Sequence, residues 1–326
     1  MRLPARLFLT LLVLSVFPAC LPQALAVTDG SFQRTLTVTG AVDVDVSTGA
    51  GTITVRAGDE GSVRVLGRIR GSTVLSGSDE TEKIRYLESH PPIEQNGNFI
   101  RIGYISDSDL QRHLSISYEL VVPAATRLRA RTGSGDQNLS GVRGPVNASA
   151  GSGALRISRL GGEVHAETGS GDIELNLIEG PVRASTGSGS IRATGIASDL
   201  RATTGSGDVI LEQSTAGDVT VETGSGGVVV RSVRGTLRVS TGSGDVTAKG
   251  DVGGSWKVST ASGGIAVMLP VEASFDLEAK TSSGAIHTSR NVTVRGTLGR
   301  KELRGKVGAG GHLVQLSTAS GDIRIE

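Results

Sequence analysis

The residues most able to do chemistry in this chain stand beside a recurring tight turn. Aspartate follows a Gly-Ser-Gly triplet at Asp136, Asp172, Asp208 and Asp245. The run G-S-G-D-I-x-L is similar to the nonapeptide G-G-x-G-x-D-x-U-x of calcium β-rolls, and two nonapeptides also make 18 residues. The spacing departs from that motif, however. Aspartate directly follows the second glycine, and the intervening turns carry Ala154, Ser190, Gly227 and Gly264 instead. Calcium takes six to eight oxygen ligands, which such a row supplies poorly, so no metal or cofactor is expected. A second chemistry would be a nucleophilic serine. The Gly-Ser-Gly triplets lack the strand-to-helix context of a nucleophile elbow, and His90, His113, His165, His287 and His312 fall at unrelated places in the repeat. Polysaccharide-cleaving enzymes on β-helices gather carboxylates and a basic residue on one face, whereas these aspartates form a regular row. The expectation is a protein that is not an enzyme.

The turn itself sets the frame. Its central serine recurs at Ser134, Ser152, Ser170, Ser188, Ser206, Ser225, Ser243, Ser262, Ser283 and Ser320, in steps of 18, 18, 18, 18, 19, 18, 19, 21 and 37. A fixed short period marks stacked structural repeats. Each unit reads Φ-x-Φ-x-T-[GAS]-S-G-x-Φ-x-Φ, with Φ apolar, as in Val164-Ala166-Thr168 followed by Ile173-Leu175. Alternation by two sends these residues to one side of each strand and Glu167, Arg183, Arg201, Glu222, Arg238 and Lys257 to the other. The expected fold is therefore all-β, a parallel β-helix-like solenoid with about 18 residues per repeat. About ten coils at 4.8 Å would make a rod of roughly 45–50 Å.

Glycine suits a sharp corner because it adopts positive φ freely. The first glycine of the triplet gives way to Ala261, Ser282 and Ala319. The second stays at Gly135, Gly153, Gly171, Gly189, Gly207, Gly226, Gly244, Gly263, Gly284 and Gly321, which are therefore the structural turn positions expected to hold the strained angle. Aspartates on every coil would repel at about 5 Å, and alternation doubles that distance. Stacking would also set Glu174 beside Arg192. The aligned Thr168, Thr186, Thr204, Thr223 and Thr241 fall on the apolar side, as an inner ladder, and Trp256 takes an inward position. Glu326 follows directly on a strand, so the last coil is expected to expose an edge open to pairing.

The ends of the chain differ. Arg2 and Arg6, the apolar run from Leu7 to Phe17, and Ala24-Leu25-Ala26 form a secretory signal over residues 1–26, cleaved after Ala26. The competing reading is lipidation at Cys20, through the poor lipobox Phe17-Pro18-Ala19. Cys20 is the only cysteine, so stability must come from packing and hydrogen bonds. Residues 27–122 read as a strand-rich first part of the solenoid with an irregular insertion near 76–112. There Ser78 caps a short helix with Ile84, Tyr86 and Leu87 on its apolar side, and Asp107 to Arg112 form a polar loop. Residues 123–326 hold the regular repeats, in one elongated domain with the preceding part. The stretch from Arg290 to Lys306, with Arg295, Arg300, Lys301 and Arg304, reads as a solvated loop or hairpin, or else as a small contact for an anionic polymer.

Of 33 basic residues, removing Arg2 and Arg6 leaves 31 against 32 acidic ones. Such a chain has no bulk charge to draw it to nucleic acid, and no later stretch is apolar enough to span a bilayer. The location expected is periplasmic or at the cell surface.

Leu114-Ser115-Ile116-Ser117-Tyr118-Glu119-Leu120-Val121-Val122-Pro123, leading to Thr132-Gly133-Ser134-Gly135-Asp136, resembles the opening of a bacterial putative-adhesin family of β-strand repeats. Gly310-Gly311-His312-Leu313-Val314-Gln315-Leu316-Ser317-Thr318-Ala319-Ser320-Gly321-Asp322-Ile323 is similar to its closing unit. The resemblance implies a β-helix-like solenoid in the cell envelope and supplies no catalytic residues. The function expected is binding, adhesion or scaffolding, with an envelope polysaccharide or protein as partner. A carbohydrate-active enzyme and a purely structural spacer are the alternatives.

Overall fold

The computed structural model describes residues 29–71, 78–105, 114–294, 299 and 301–326. The expected signal segment 1–26, Cys20, His113, the loop at Asp107 to Arg112, and Arg295 and Arg300 lie outside the described residues.

Each 18-residue unit folds as two short strands joined at the Gly-Ser-Gly corner, and corresponding strands of successive units pair in parallel. Alternating side chains are the cause. A strand of five or six residues buries only its inward set, so it gains a core only when copies stack in register. Two sheets of 14 and 15 strands result, sharing twelve coils. At about 4.8 Å per coil they make roughly 53 Å of stack. Eight coils follow chain order, from Arg127–Ser134 with Gln137–Ser140 to Trp256–Ser262 with Ile265–Met268. Val164, Val182, Leu200, Val219 and Leu237 lie one above another, each no more than 2% exposed. Leu155, Ile173, Ile191, Val209 and Val228 form a matching buried row in the second sheet. The interior is thin, so Val, Ile, Leu and Ala fill it with few aromatics. Trp256 is fully buried and donates its indole N–H to Gly235 O at 3.2 Å.

At both ends the chain leaves its own order. The coil made by Asp43–Ala50 and Ile53–Gly58 packs directly on the Arg127–Ser134 coil. The later strands Phe99–Ile102 and Leu114–Pro123 add outside it. The other end mirrors this. Leu313–Ser320 and Ile323–Ile325 insert between the Trp256–Ser262 coil and the coil of Phe275–Ser283 with Ile286–Thr288. The C-terminal strand is thus paired on both sides, and the exposed edge expected after Glu326 does not exist. The step of 37 reflects a detour through a cap, in which Glu302–Val307 runs antiparallel to Phe275–Ser283 and to Val292–Val294.

Antiparallel strands close the opposite end as well. Asp29–Thr37 pairs with Ser62–Gly71, which pairs with Leu114–Pro123. The helix Ser78–Ser89 lies against the first two of these, burying Ile84 and Leu87. Tyr86 does not join that apolar side. It is 55% exposed and stacks on His90 with ring centroids 4.8 Å apart, because residues 84 and 87 share a helical face and 86 points away from it.

Candidate functional site

The groups that looked chemically able at the corners are taken up by the stack. A Cβ on Gly153 would lie 1.8 Å from Gly135 O, and one on Gly207 would lie 2.1 Å from Gly189 O. The same close approach, between 1.9 and 2.2 Å, recurs at Gly135, Gly171, Gly189, Gly226, Gly244, Gly263, Gly284 and Gly321, each against the carbonyl of the coil beside it. Positive φ values of 148–155° occur at Gly226, Gly244, Gly263, Gly284 and Gly321. Lack of a side chain, and not one backbone angle, is what all ten positions have in common. The first glycine of the triplet has more room. A Cβ there would meet the neighbouring carbonyl at 2.4 Å at Gly133 and 2.7 Å at Gly242, and Ala261 occupies the next coil.

Inward threonines serve the same carbonyls. The hydroxyls of Thr168, Thr186 and Thr204 donate to Gly153 O, Gly171 O and Gly189 O at 2.9–3.0 Å. Burying a threonine in an apolar interior is tolerable because its hydroxyl is bonded. The aspartates after the turn act outward along the stack. Asp136, Asp172, Asp208 and Asp245 accept the backbone N–H of Ala154, Ser190, Gly227 and Gly264, each one coil on, at 2.7–3.0 Å. Alternation therefore has a bonding reason beyond repulsion, since each carboxylate serves the coil that lacks one. Asp199 and Asp218 sit on adjacent coils at the return corner and bond likewise to Asp218 N–H and Thr236 N–H, so neighbouring aspartates are allowed where each faces a donor. Among the described residues, no group of three or more His, Asp or Glu converges as a metal site.

A ligand-sized concavity lined by charged side chains lies on the outer face of the 15-stranded sheet, near the N-terminal end. Three successive coils build it. The first presents Arg127 and Arg129 outward. The second presents Asn147 after Pro145, and the third presents His165 after Glu163. Short side chains between two rows of long ones leave a trough of about 280 Å³, reaching from Phe99 and Asp43 to Glu163 and His165. One wall carries the guanidinium groups of Arg127 and Arg129, and the other carries the Glu163 carboxylate and the His165 ring.

Asp45 holds the basic wall in place. Its side chain is only 7% exposed and lies 3.5 Å from Arg129 and 3.1 Å from Arg131. It also accepts the Tyr104 hydroxyl at 3.0 Å. Burial, and then that bond to Asp45, raise the Tyr104 phenol above its ordinary value. Arg101 lies over the Tyr104 ring at 4.9 Å and the Phe99 ring at 5.7 Å, which steadies the end of the trough. Asp43 pairs with Arg127 at 3.4 Å, and Glu163 reaches Arg183 at 3.9 Å. Glu167 stands 3.9 Å from His165 Nε2.

Side-chain alternation sets Glu167 and Arg183 outward without joining them to a site. The signal was present as R-L-R-A-R, P-V-N-A-S and E-V-H-A-E at 18-residue spacing, legible only after these segments are laid side by side. Of the histidines, His165 lines the trough, His90 is stacked on Tyr86, and His287 lies in a strand at the far end. The described part of the basic stretch after Arg290 is mostly cap. Arg290 donates to Val271 O at 3.0 Å, Lys301 donates to Ser282 O at 2.9 Å, and Arg304 pairs with Glu302 at 2.9 Å.

Solved structures similar to this chain include three bacterial proteins that each match over 91% of it. A putative cell adhesion protein from Clostridium sporogenes is 12% identical, is covered over 99% of its length and has a TM-score of 0.22. Putative adhesins from Bacteroides fragilis and Parabacteroides distasonis are 10% and 8% identical, are each covered over 97%, and have TM-scores of 0.31 and 0.32. No curated protein matches the chain. Residues 162–326 match the family model described as Toastrack DUF4097, and the chain belongs to that family.

Proposed function

We propose that this protein is an exported, non-enzymatic binding module of the bacterial cell envelope, adhesin-like in role, which presents polar outer faces on a stack of coils. The observation that carries this reading is the trough between Arg127 and Arg129 on one side and Glu163 and His165 on the other, where charged side chains of both signs from successive coils face one concavity. Its support is a sheet whose backbone groups pair coil to coil, so the walls are positioned before any ligand arrives. The charged segment at residues 1–6 and the apolar run after it support export. No helix among the described residues is long and apolar enough to cross a membrane. Pull-down from envelope extracts with the purified protein as bait tests the reading. Recovery of a cell-wall polymer or surface protein is expected, and absence of any retained envelope component overturns it.

The trough also favours a second reading, a carbohydrate-active enzyme, because it brings Asp43, Asp45 and Glu163 beside Arg127 and Arg129. Each of these carboxylates lies within 3.9 Å of a guanidinium. Release of new reducing ends from envelope glycans would establish the enzyme. Unchanged glycans after binding favour the module.

A further inference from the structure

We infer that the trough binds an uncharged glycan chain, an assignment that rests on the binding reading above and narrows it to one chemical class. The walls are two coil spacings apart, roughly 10 Å between backbones. From Arg127 to Arg129 the trough runs roughly 7 Å along the strand, room for about one ring of a longer linear polymer. Its floor at Asn147 is small and polar.

The walls differ in what they offer. Guanidinium groups donate hydrogen bonds and accept none, whereas ionised carboxylates only accept. A ligand lying between Arg127 and Glu163 must therefore accept on one side and donate on the other. Sugar hydroxyls do both, at every ring. A polyanion would gain at Arg127 and Arg129 and be repelled by Glu163, and a polycation would meet the reverse. The charges are also balanced locally. Asp43 and Asp45 lie behind the arginines, and Arg183 lies beside Glu163, so the trough carries little net field to attract either sign. At one end Phe99, 39% exposed, and Pro145 present apolar surface to the C–H face of a pyranose ring. An extended peptide finds no free backbone here, because the strands beneath are paired on both sides.

The test is calorimetric titration of the purified protein with maltohexaose, cellohexaose and chitohexaose, alongside hexagalacturonate and hexalysine. At least one neutral hexamer is expected to bind, with an affinity that changes less than about twofold between low and high salt. Asn147→Trp, which fills the floor, is expected to weaken that ligand by at least about tenfold, with Lys257→Trp on a distant coil as the unaffected control. Glu163→Gln keeps the shape, withdraws one charged acceptor and is expected to weaken the same ligand, so the outcome does not hang on one bulky variant. Binding of none of the neutral hexamers, tighter binding of either charged hexamer, or indifference to both trough variants would overturn the assignment. If envelope material is still retained equally by the native protein and Asn147→Trp, only this assignment falls. Absence of retention by the native protein is the separate failure of the binding reading.

Discussion

The Asp322 carboxylate accepts the backbone N–H of Ala285 at 2.9 Å, although Asp322 lies 37 residues further along the chain. In the stack the order is Asp245, Gly264, Asp322, Ala285, so side-chain acceptors still fall on alternate coils. At the other end Ser117 takes the same role, accepting the N–H of Thr52 at 3.2 Å. Had the coils stacked in chain order, Gly264 and Ala285 would be neighbours and the Ala285 N–H would lose its acceptor. The bond therefore favours insertion of the last coil.

Asp322→Ala is expected to cost about 1–2 kcal/mol by leaving a partly buried N–H unpaired, whereas Asp322→Asn, which keeps an acceptor oxygen, costs less. Hydrogen exchange at Ala285 is the sharper measurement. Faster exchange in the alanine variant is expected, and unchanged protection would show that this bond does not hold the coil.

Gly207→Val is expected to destabilise by about 3 kcal/mol or more, because the added Cβ would sit 2.1 Å from Gly189 O, which belongs to paired backbone. Ser206 is exposed, so Ser206→Ala should stay within about 0.5 kcal/mol. Thermal melts of the two variants check the contrast, and equal shifts would refute the account of the corner.

The Arg156 guanidinium, bonded at 2.9 Å, and the Ala154 N–H together hold the Asp136 carboxyl below the usual carboxylate range. The folded pKa lies below the unfolded one, so its contribution is complete above the ordinary value of about 3.9 and is lost as pH falls through the depressed one. Both partners are about half exposed, which limits the effect to about 1 kcal/mol or less. The melting difference between native protein and Asp136→Asn should shrink as pH drops below about 4. A difference that stays constant to low pH would contradict the assignment.

Leu177 is 56% exposed and holds φ at 55°, beside Arg159 at 54° and Gly195 at 69°. The left-handed region costs a non-glycine residue about 1–2 kcal/mol, and glycine returns part of that gain through its freer unfolded chain. Leu177→Gly should therefore melt no lower than the native protein. Leu175→Gly, two residues earlier in the core, should melt far lower. A large loss at Leu177 would show that its side chain packs more than its exposure indicates.

Much of the coil could be read from residues alone. Val164, Ala166 and Thr168 repeat with their counterparts at 182, 184 and 186, and a period of two admits only one inward set. The threonine ladder follows, because Thr occupies the inward column at every regular turn except that of Ala150. Tyr86 was misplaced, since two apolar neighbours on the true helical face made a third look equivalent. The trough escaped notice because its walls come from residues 18 positions apart that meet only across strands.

Strand character, the inward face and the repeat length were decided locally, by side-chain alternation and by glycines that leave room at a corner. The order of the end coils was not. Every copy of T-x-S-G offers nearly the same backbone ladder to every other, so pairing energy alone barely distinguishes Ser262 beside Ser283 from Ser262 beside Ser320. Only the assembled stack, where Asp322 meets the free N–H of Ala285 and the cap closes over the Phe275 coil, selects one arrangement.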